Sequence, residues 1–370
     1  MNDLWDINLG QENAVELLTK IYKSNRIPHA FLFSGKEGVG KHYIALQFAK
    51  LLNSEKEFKL DYSVQSKISN LSEPYIKLVI PLPRGKGEST DDSDVEKLPQ
   101  EVLEMIVSEI QKKALNPYYK IEVERASNIK ISSIRNVKKI INFNYDDIKY
   151  RFILIEDAHL MSEEAQNALL KSLEEPPKGI IFILTTPFED HLLPTIKSRC
   201  WPINFSPLSS EIIKYILMKY FKYDKNIAHN VSFFADGSVT EAVHLIESNF
   251  EITIEKIIDV LRFSLALRYN SAIRIFTELI QDQSIDFVKQ IIQLIMCWFN
   301  DALKDRLNLE DLHFEIARDT LEKFNHKFRK ADIPDLIIRL EHILKGIDRK
   351  VGLNIITTNV IFEISTIAMR

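Results

Sequence analysis

Apolar positions in the first half of the chain fall into two alternating patterns. Residues 10–24 put Val15, Leu17, Leu18 and Ile21 on one side of a helix. Pro28 breaks that pattern, and Ala30-Phe31-Leu32-Phe33 follows as a short buried strand. Gly35 to Gly40 form a loop. Tyr43 to Leu52 resume helical spacing, with Ile44, Ala45, Phe48, Ala49 and Leu52 inward. Three further apolar runs, YIKLVIPL (75–82), RFILIED (151–157) and IIFILTT (180–186), alternate with helical segments such as EEAQNALLKSLEEPP (163–177). This alternation predicts a parallel sheet with helices on both faces.

After Pro207 the strand-like runs stop. Residues 209–248 read as a small helical unit in which Asp236-Gly237-Ser238 separates two helices, and 252–370 give four or so long amphipathic patterns. Residues 84–98 (RGKGESTDDSDVEKL) are polar and short of apolar anchors, which predicts a mobile loop. Helical spacing returns over 99–118, so about 54–125 reads as an insertion. The expected organisation is an α/β core over 1–206, a helical lid over 207–250 and an all-α C-terminal domain over 251–370.

Composition narrows the classes. A chain of 370 residues, 45% hydrophobic, has enough apolar content for two or three cores. The formal net charge is −4, so any nucleic-acid contact must come from a local basic patch. The two cysteines, Cys200 and Cys297, cannot make a four-cysteine zinc site and fit a reducing compartment. The N-terminal residues lack the basic-then-apolar pattern of a signal peptide, and no uncharged apolar run approaches the roughly 20 residues that span a bilayer. The expectation is a cytoplasmic protein with no membrane partner and no metal site.

FLFSGKEGVGKH (31–42) fits G-x-x-x-x-G-K at Gly35, Gly40 and Lys41, with Gly38 inside the loop. Glycines let backbone N–H groups face phosphate oxygens, lysine neutralises phosphate charge, and the helix that begins here favours an anion at its N-terminus. A tight strand-to-helix turn that binds nothing has the same pattern. Mg²⁺ chemistry wants a hydroxyl after the lysine, and His42 stands there. Glu156 and Asp157 end the apolar run of FILIEDAH (152–159); they serve either a phosphate site or as caps of the helix near Ser162.

The phosphate loop, the acidic strand end, the helix EEAQNALLKSLEEPP and the segment LLPTIKSRC (192–200) occur in the order found in clamp-loader ATPase cores. The chain resembles the bacterial AAA+ clamp-loader family of DNA polymerase III, and within it the delta-prime subunits. The resemblance covers most of 7–250 and more weakly the rest. It implies a RecA-like (AAA+) parallel-sheet domain, a small helical lid and an all-α C-terminal collar domain. It implies the ATPase subunits, the delta subunit, the sliding clamp and, through the assembled complex, primed DNA as partners.

Against that family's pattern the chain departs in three places. His42 replaces Ser or Thr, the acids run Glu156-Asp157 instead of Asp-Glu, and Thr240 stands where active relatives carry an arginine. Together these imply a subunit that does not hydrolyse ATP, while Lys41 leaves ATP binding without hydrolysis open. Arg199 matches the arginine that reaches a neighbour's nucleotide; the plain alternative is a surface arginine paired with Glu189 or Asp190. Ser198 and Cys200 are expected to pack. Thr185 and Thr186 sit where relatives keep a polar sensor, or simply end a strand. Arg135, Lys138 and Lys139 either line a DNA-backbone surface or form a solvated helix face. The cysteine zinc module of many delta-prime subunits is absent before Cys200, and the charged insertion takes its place. The rival readings are an ATP-hydrolysing motor subunit and an unrelated phosphate-loop enzyme such as a small-molecule kinase.

Overall fold

The computed structural model describes residues 5, 10–54, 62–88, 92–143, 145, 148–309, 312–314, 317–347 and 352–369. Residues 89–91 of the polar stretch and 55–61 of the insertion-like segment lie outside the described residues. The chain forms two compact units, Met1–Thr240 and Glu241–Arg370.

The first unit contains, in order, α1 (Glu12–Ser24), β1 (Ala30–Ser34), α2 (Lys41–Leu52), α3 (Tyr62–Ser69), β2 (Ile76–Val79), α4 (Gln100–Leu115), α5 (Ile131–Ile141), β3 (Arg151–Ile155), α6 (Glu163–Glu174), β4 (Ile180–Thr186), α7 (Pro194–Lys197), β5 (Trp201–Asn204), α8 (Ser210–Tyr220) and α9 (Lys225–Ser232). All five strands are parallel, in the order β2-β3-β4-β1-β5. The expected parallel sheet is therefore present, and β1, β3 and β4 are buried along their whole lengths. Such burial on both faces is why they read as continuous apolar runs.

The fifth strand was not expected. In β5 only Ile203 is buried, and the strand pairs with β1 alone. Pro202 has no N–H to give a second neighbour, so the sequence suits a sheet edge and shows little strand signal. β2 is shorter than its apolar run, covering Ile76–Val79 of 75–82.

Helix α6 starts where Ser162 Oγ accepts a hydrogen bond from Ala165 N at 3.2 Å. It lays Leu169 and Leu173, with Leu170 partly covered, against Ile153, Ile155, Phe182 and Leu184 of the sheet. The polar stretch 84–98 is more anchored than its composition suggests. Glu88 meets Lys130 at 2.8 Å with both side chains buried, and Leu98 joins Ile80, Leu82 and Ile106 in a small core beneath α4. A salt bridge this far from water is tolerated because Lys130 also donates to the carbonyls of Pro83 and Asp94.

Helix α10 (Val239–Glu247) carries the chain into the second unit, which is helical: α11 (Phe250–Leu265), α12 (Tyr269–Ile280), α13 (Ile285–Arg306), α14 (Arg318–Lys327), α15 (Ile333–Ile347) and α16 (Leu353–Met369). Trp298 and Phe299 of α13 meet Phe324 of α14 edge-on, at 5.2 and 5.7 Å between centroids. Two helices here, α12 and α14, were not separated by the sequence pattern; they are short, with 12 and 10 residues. Likewise 209–248 holds three helices instead of two. Among the described residues no helix is long and apolar enough to cross a membrane.

Candidate functional site

The sheet brings the chemistry to one edge. Strand β1 runs into the glycine loop; its neighbour β4 ends at Thr185 and Thr186, registered beside Phe33 and Ser34; and β3, next to β4, ends at Ile155, so Glu156 and Asp157 emerge one strand further over. The carboxyl ends of parallel strands are where ligands bind in such sheets. Here they open on a cavity of about 310 Å³, lined by residues that include Gly38, Lys41, His42, Glu156, Thr185 and Thr240.

The loop has the backbone its glycines predict. Gly40 sits at φ +93 and caps α2 in the left-handed region. A Cβ on Gly38, at φ +72, would lie 2.5 Å from the amide nitrogen of Thr240, and the Gly38 carbonyl accepts from Val239 N at 3.2 Å. Thr240 thus sits against the loop, although it has no charge to offer.

Lys41 does not reach into open cavity. Its Nζ donates to the carbonyls of Gly35 at 2.5 Å and Lys36 at 2.6 Å. Burial pushes this ammonium down to about 8, with Asp157 the chief opposing influence.

His42 is buried, and its Nδ1 faces Glu156 Oε1 in a short hydrogen bond. The carboxylate also attracts Lys113 Nζ at 3.6 Å, and Lys113 donates to the carbonyl of Tyr119 at 2.7 Å. Burial opposes the Glu156 charge, but Lys113 and His42 outweigh it and hold the carboxyl well below the usual range. Burial likewise pushes His42 down, against the pull of Glu156. Asp157 takes a left-handed backbone at φ 50, and burial followed by repulsion from Glu156 raises its carboxyl to about 6. Neither acid caps a helix by side-chain bonding: Ser162 caps α6, and Asp157 precedes a single 3-10 turn at Ala158–Leu160, to which it contributes only its carbonyl, accepting from Leu160 N at 2.8 Å.

Lys113 was missed from the sequence, as was the segment after it. Tyr118 is buried, stacks on Tyr43 at 5.7 Å and abuts Gly40, where an added Cβ would meet its hydroxyl at 3.1 Å. Lys120 pairs with Glu37 of the loop at 3.0 Å. So α4 and the segment behind it form one wall of the pocket. A signal was available: Lys113 follows Ile106 and Ile110 at helical spacing, so a cation falls on the inward stripe.

A magnesium ion wants near-octahedral oxygen ligands. Its usual places at His42 and Glu156 do not fit it. The hydroxyl position holds an imidazole, the Glu156 oxygen is engaged by His42, and an ammonium stands 3.6 Å from it. Thr185 lines the pocket, whereas Thr186 Oγ1 accepts from Phe188 N at 2.9 Å and shapes the strand end.

Arg199 lies outside this pocket. It follows α7, donates to Thr195 O at 2.8 Å and pairs with Glu174 Oε1 at 2.5 Å, with its side chain 32% exposed. Its partner is neither Glu189 nor Asp190; Asp190 faces Lys197 at 3.7 Å. Cys200 packs into the core as expected, but Ser198 is exposed. On α5, Ile134, Val137 and Ile141 face inward; Lys139 is exposed and Arg135 and Lys138 are half-buried. In the second unit Cys297, Asp301 and His313 bring potential ligand atoms within 4.8 Å of one another. Asp301 there already accepts from the amides of His313 and Phe314, each at 2.7 Å.

The family described as "DNA polymerase III, delta subunit" matches residues 10–209, more than half of the chain, and the chain belongs to that family. It is similar to the DNA polymerase III subunit gamma of Buchnera aphidicola subsp. Schizaphis graminum, with 31% identity over 244 residues, 65% of this chain and 56% of that protein. It is similar to subunit tau of Bacillus subtilis, 29% identical over 68% of this chain and 39% of that protein. Subunit tau of Escherichia coli is 27% identical over 64% of this chain and 31% of its own length. The chain thus spans between about a third and just over half of these relatives' lengths. Among solved structures, a gamma subunit-related protein of Thermotoga maritima aligns with TM-score 0.45 and 15% identity over 95% of this chain and 99% of that one.

Proposed function

We propose that the chain is a delta-prime-like clamp-loader subunit that does not hydrolyse ATP and supplies Arg199 in trans to a neighbouring ATPase subunit. One observation carries this reading: Glu156, the carboxylate at the end of the acidic strand, is held by His42 and Lys113 and is withdrawn from metal chemistry. Arg199, by contrast, stands at the surface away from its own pocket in an exposed ion pair that can exchange partners. A planar, permanently charged guanidinium suits stabilisation of phosphoryl charge.

On this reading residues 1–206 are the AAA+ core, 207–250 a lid and 251–370 a collar domain. Its partners are the ATPase subunits, the delta subunit, the sliding clamp and primed DNA, in the cytoplasm. Arg135, Lys138 and Lys139 offer a sequence-independent contact to the DNA backbone. Thr185 is the better placed of the two sensor candidates. The chain needs no zinc; elemental analysis of the purified protein checks this, and stoichiometric zinc would assign the cluster around Asp301 a role.

The test compares Arg199→Ala with Lys41→Ala in the reconstituted clamp loader. Arg199→Ala should assemble normally yet lower DNA- and clamp-stimulated ATP hydrolysis, with Lys a poor replacement. The isolated chain should show no turnover above background. Greater damage from Lys41→Ala would mean the chain uses its own site, as the motor reading requires.

A further inference from the structure

We propose that the pocket binds the polyphosphate of a nucleotide without a divalent cation, and that Lys113 Nζ supplies the positive charge a metal would bring. This rests on reading the pocket as a nucleotide site that does not hydrolyse.

The position of Lys113 makes the case. Lys113 is 7% exposed, and its Nζ lies 3.6 Å from Glu156 Oε1, beside a carboxylate that would otherwise attract a cation. It is held there by the carbonyl of Tyr119. An ammonium has three donors, and these two contacts leave one for a phosphate oxygen. A dication brought to the same place would meet this fixed charge at close range, with the Glu156 oxygen already engaged by His42.

The pocket is also unfinished in a way that points to a ligand. His42 and Tyr118 both line the cavity, and within them His42 Nε2 and the Tyr118 hydroxyl are buried with no hydrogen-bond partner among the described residues. Buried polar atoms are ordinarily satisfied, and leaving one unpaired is costly. The Tyr118 hydroxyl, close over Gly40, is placed to donate to an oxygen lying on the loop. An ionised Glu156 can only accept, which assigns the His42 Nδ1 proton to that bond and leaves Nε2 of the neutral ring as an acceptor. Lys41, now folded onto the Gly35 and Lys36 carbonyls, would exchange them for phosphate. The volume, about 310 Å³, is at the small end of ligand pockets.

Calorimetry on the whole chain tests this with ATP and with inorganic pyrophosphate, each in magnesium and in EDTA. ATP should bind with a Kd that agrees within about twofold between the two conditions. Lys113→Met should weaken binding in EDTA about tenfold or more, and Lys113→Arg should retain most of it. Because Lys113→Met leaves Glu156 short of a partner, the Lys113→Met/Glu156→Gln variant serves as the balanced control and should bind as weakly as the single variant. Any of four results overturns the proposal: ATP binding that requires magnesium, pyrophosphate binding without ATP binding, undiminished binding in either variant, or no binding of either probe. These measurements use the isolated chain, so they stand or fall separately from the Arg199 comparison in the assembled complex.

Discussion

Lys113 Nζ lies 3.6 Å from Glu156 Oε1, an ion pair in which both side chains are nearly closed to water. It joins a helix of the insertion-like segment to the end of a core strand. The charges are also supported by His42 and by the Tyr119 carbonyl, which is the condition under which a buried pair survives.

Breaking that pair should be expensive. Lys113→Met leaves Glu156 buried with His42 as its remaining partner, and should destabilise the first unit by about 3 kcal/mol in urea denaturation. Adding Glu156→Gln should restore most of the loss. Equal stability of the single and double variants would mean that the attraction contributes little.

The acid pair makes opposite contributions to pH dependence. Glu156 is held below its ordinary value, so its stabilisation is present above that value and disappears only as pH falls through the lowered folded value. Asp157 is raised from 3.8 to about 6, so the folded chain keeps a proton that the unfolded chain releases. Its contribution therefore weakens as pH rises across that window. Asp157→Asn should flatten the stability profile between those two values and raise stability at neutral pH, read from thermal midpoints across the range.

Arg199 should matter little to folding. Its pair with Glu174 is partly exposed, and such pairs contribute no more than about 1 kcal/mol. The thermal midpoint of Arg199→Ala should stay close to that of the parent chain. A large drop would make the arginine a structural element and remove the reason to seek its effect in a neighbour.

Assembly should depend on α16. Ile355 and Phe362 are 56% and 54% exposed, although the opposite side of the helix buries Ile356, Val360, Ile361 and Ile364. If, on the proposed reading, this face of the helical second unit meets an adjacent subunit, Phe362→Glu should weaken co-purification with the other subunits while leaving helicity unchanged. Undiminished assembly would place the contact on another face.

Much of the first unit was legible because burial there is expressed locally. β4 coincides with IIFILTT, and α6 with the helical part of 163–177, since a strand buried on both faces and an amphipathic helix each leave a periodic trace. The phosphate-loop backbone was legible for a similar reason: glycine takes the φ of +93 at Gly40 without the strain another residue would bear. β5 escaped because an edge strand with Pro202 and one inward residue has almost no periodicity to read. The polar stretch 84–98 misled because composition reports average solvation, whereas Glu88 and Lys130 are buried by pairing with each other.

By itself the sequence determined the alternating core and the glycine loop, because each is a property of neighbouring residues; that His42 and Thr240 depart from the family's pattern came from the resemblance. Tertiary structure alone decided what surrounds them. His42 and Glu156 are 114 positions apart, and Lys113 comes from a segment that read as an insertion. Whether a buried carboxylate is free for a cation depends on the charges within a few ångströms of it, and the strand order β2-β3-β4-β1-β5 places those charges together.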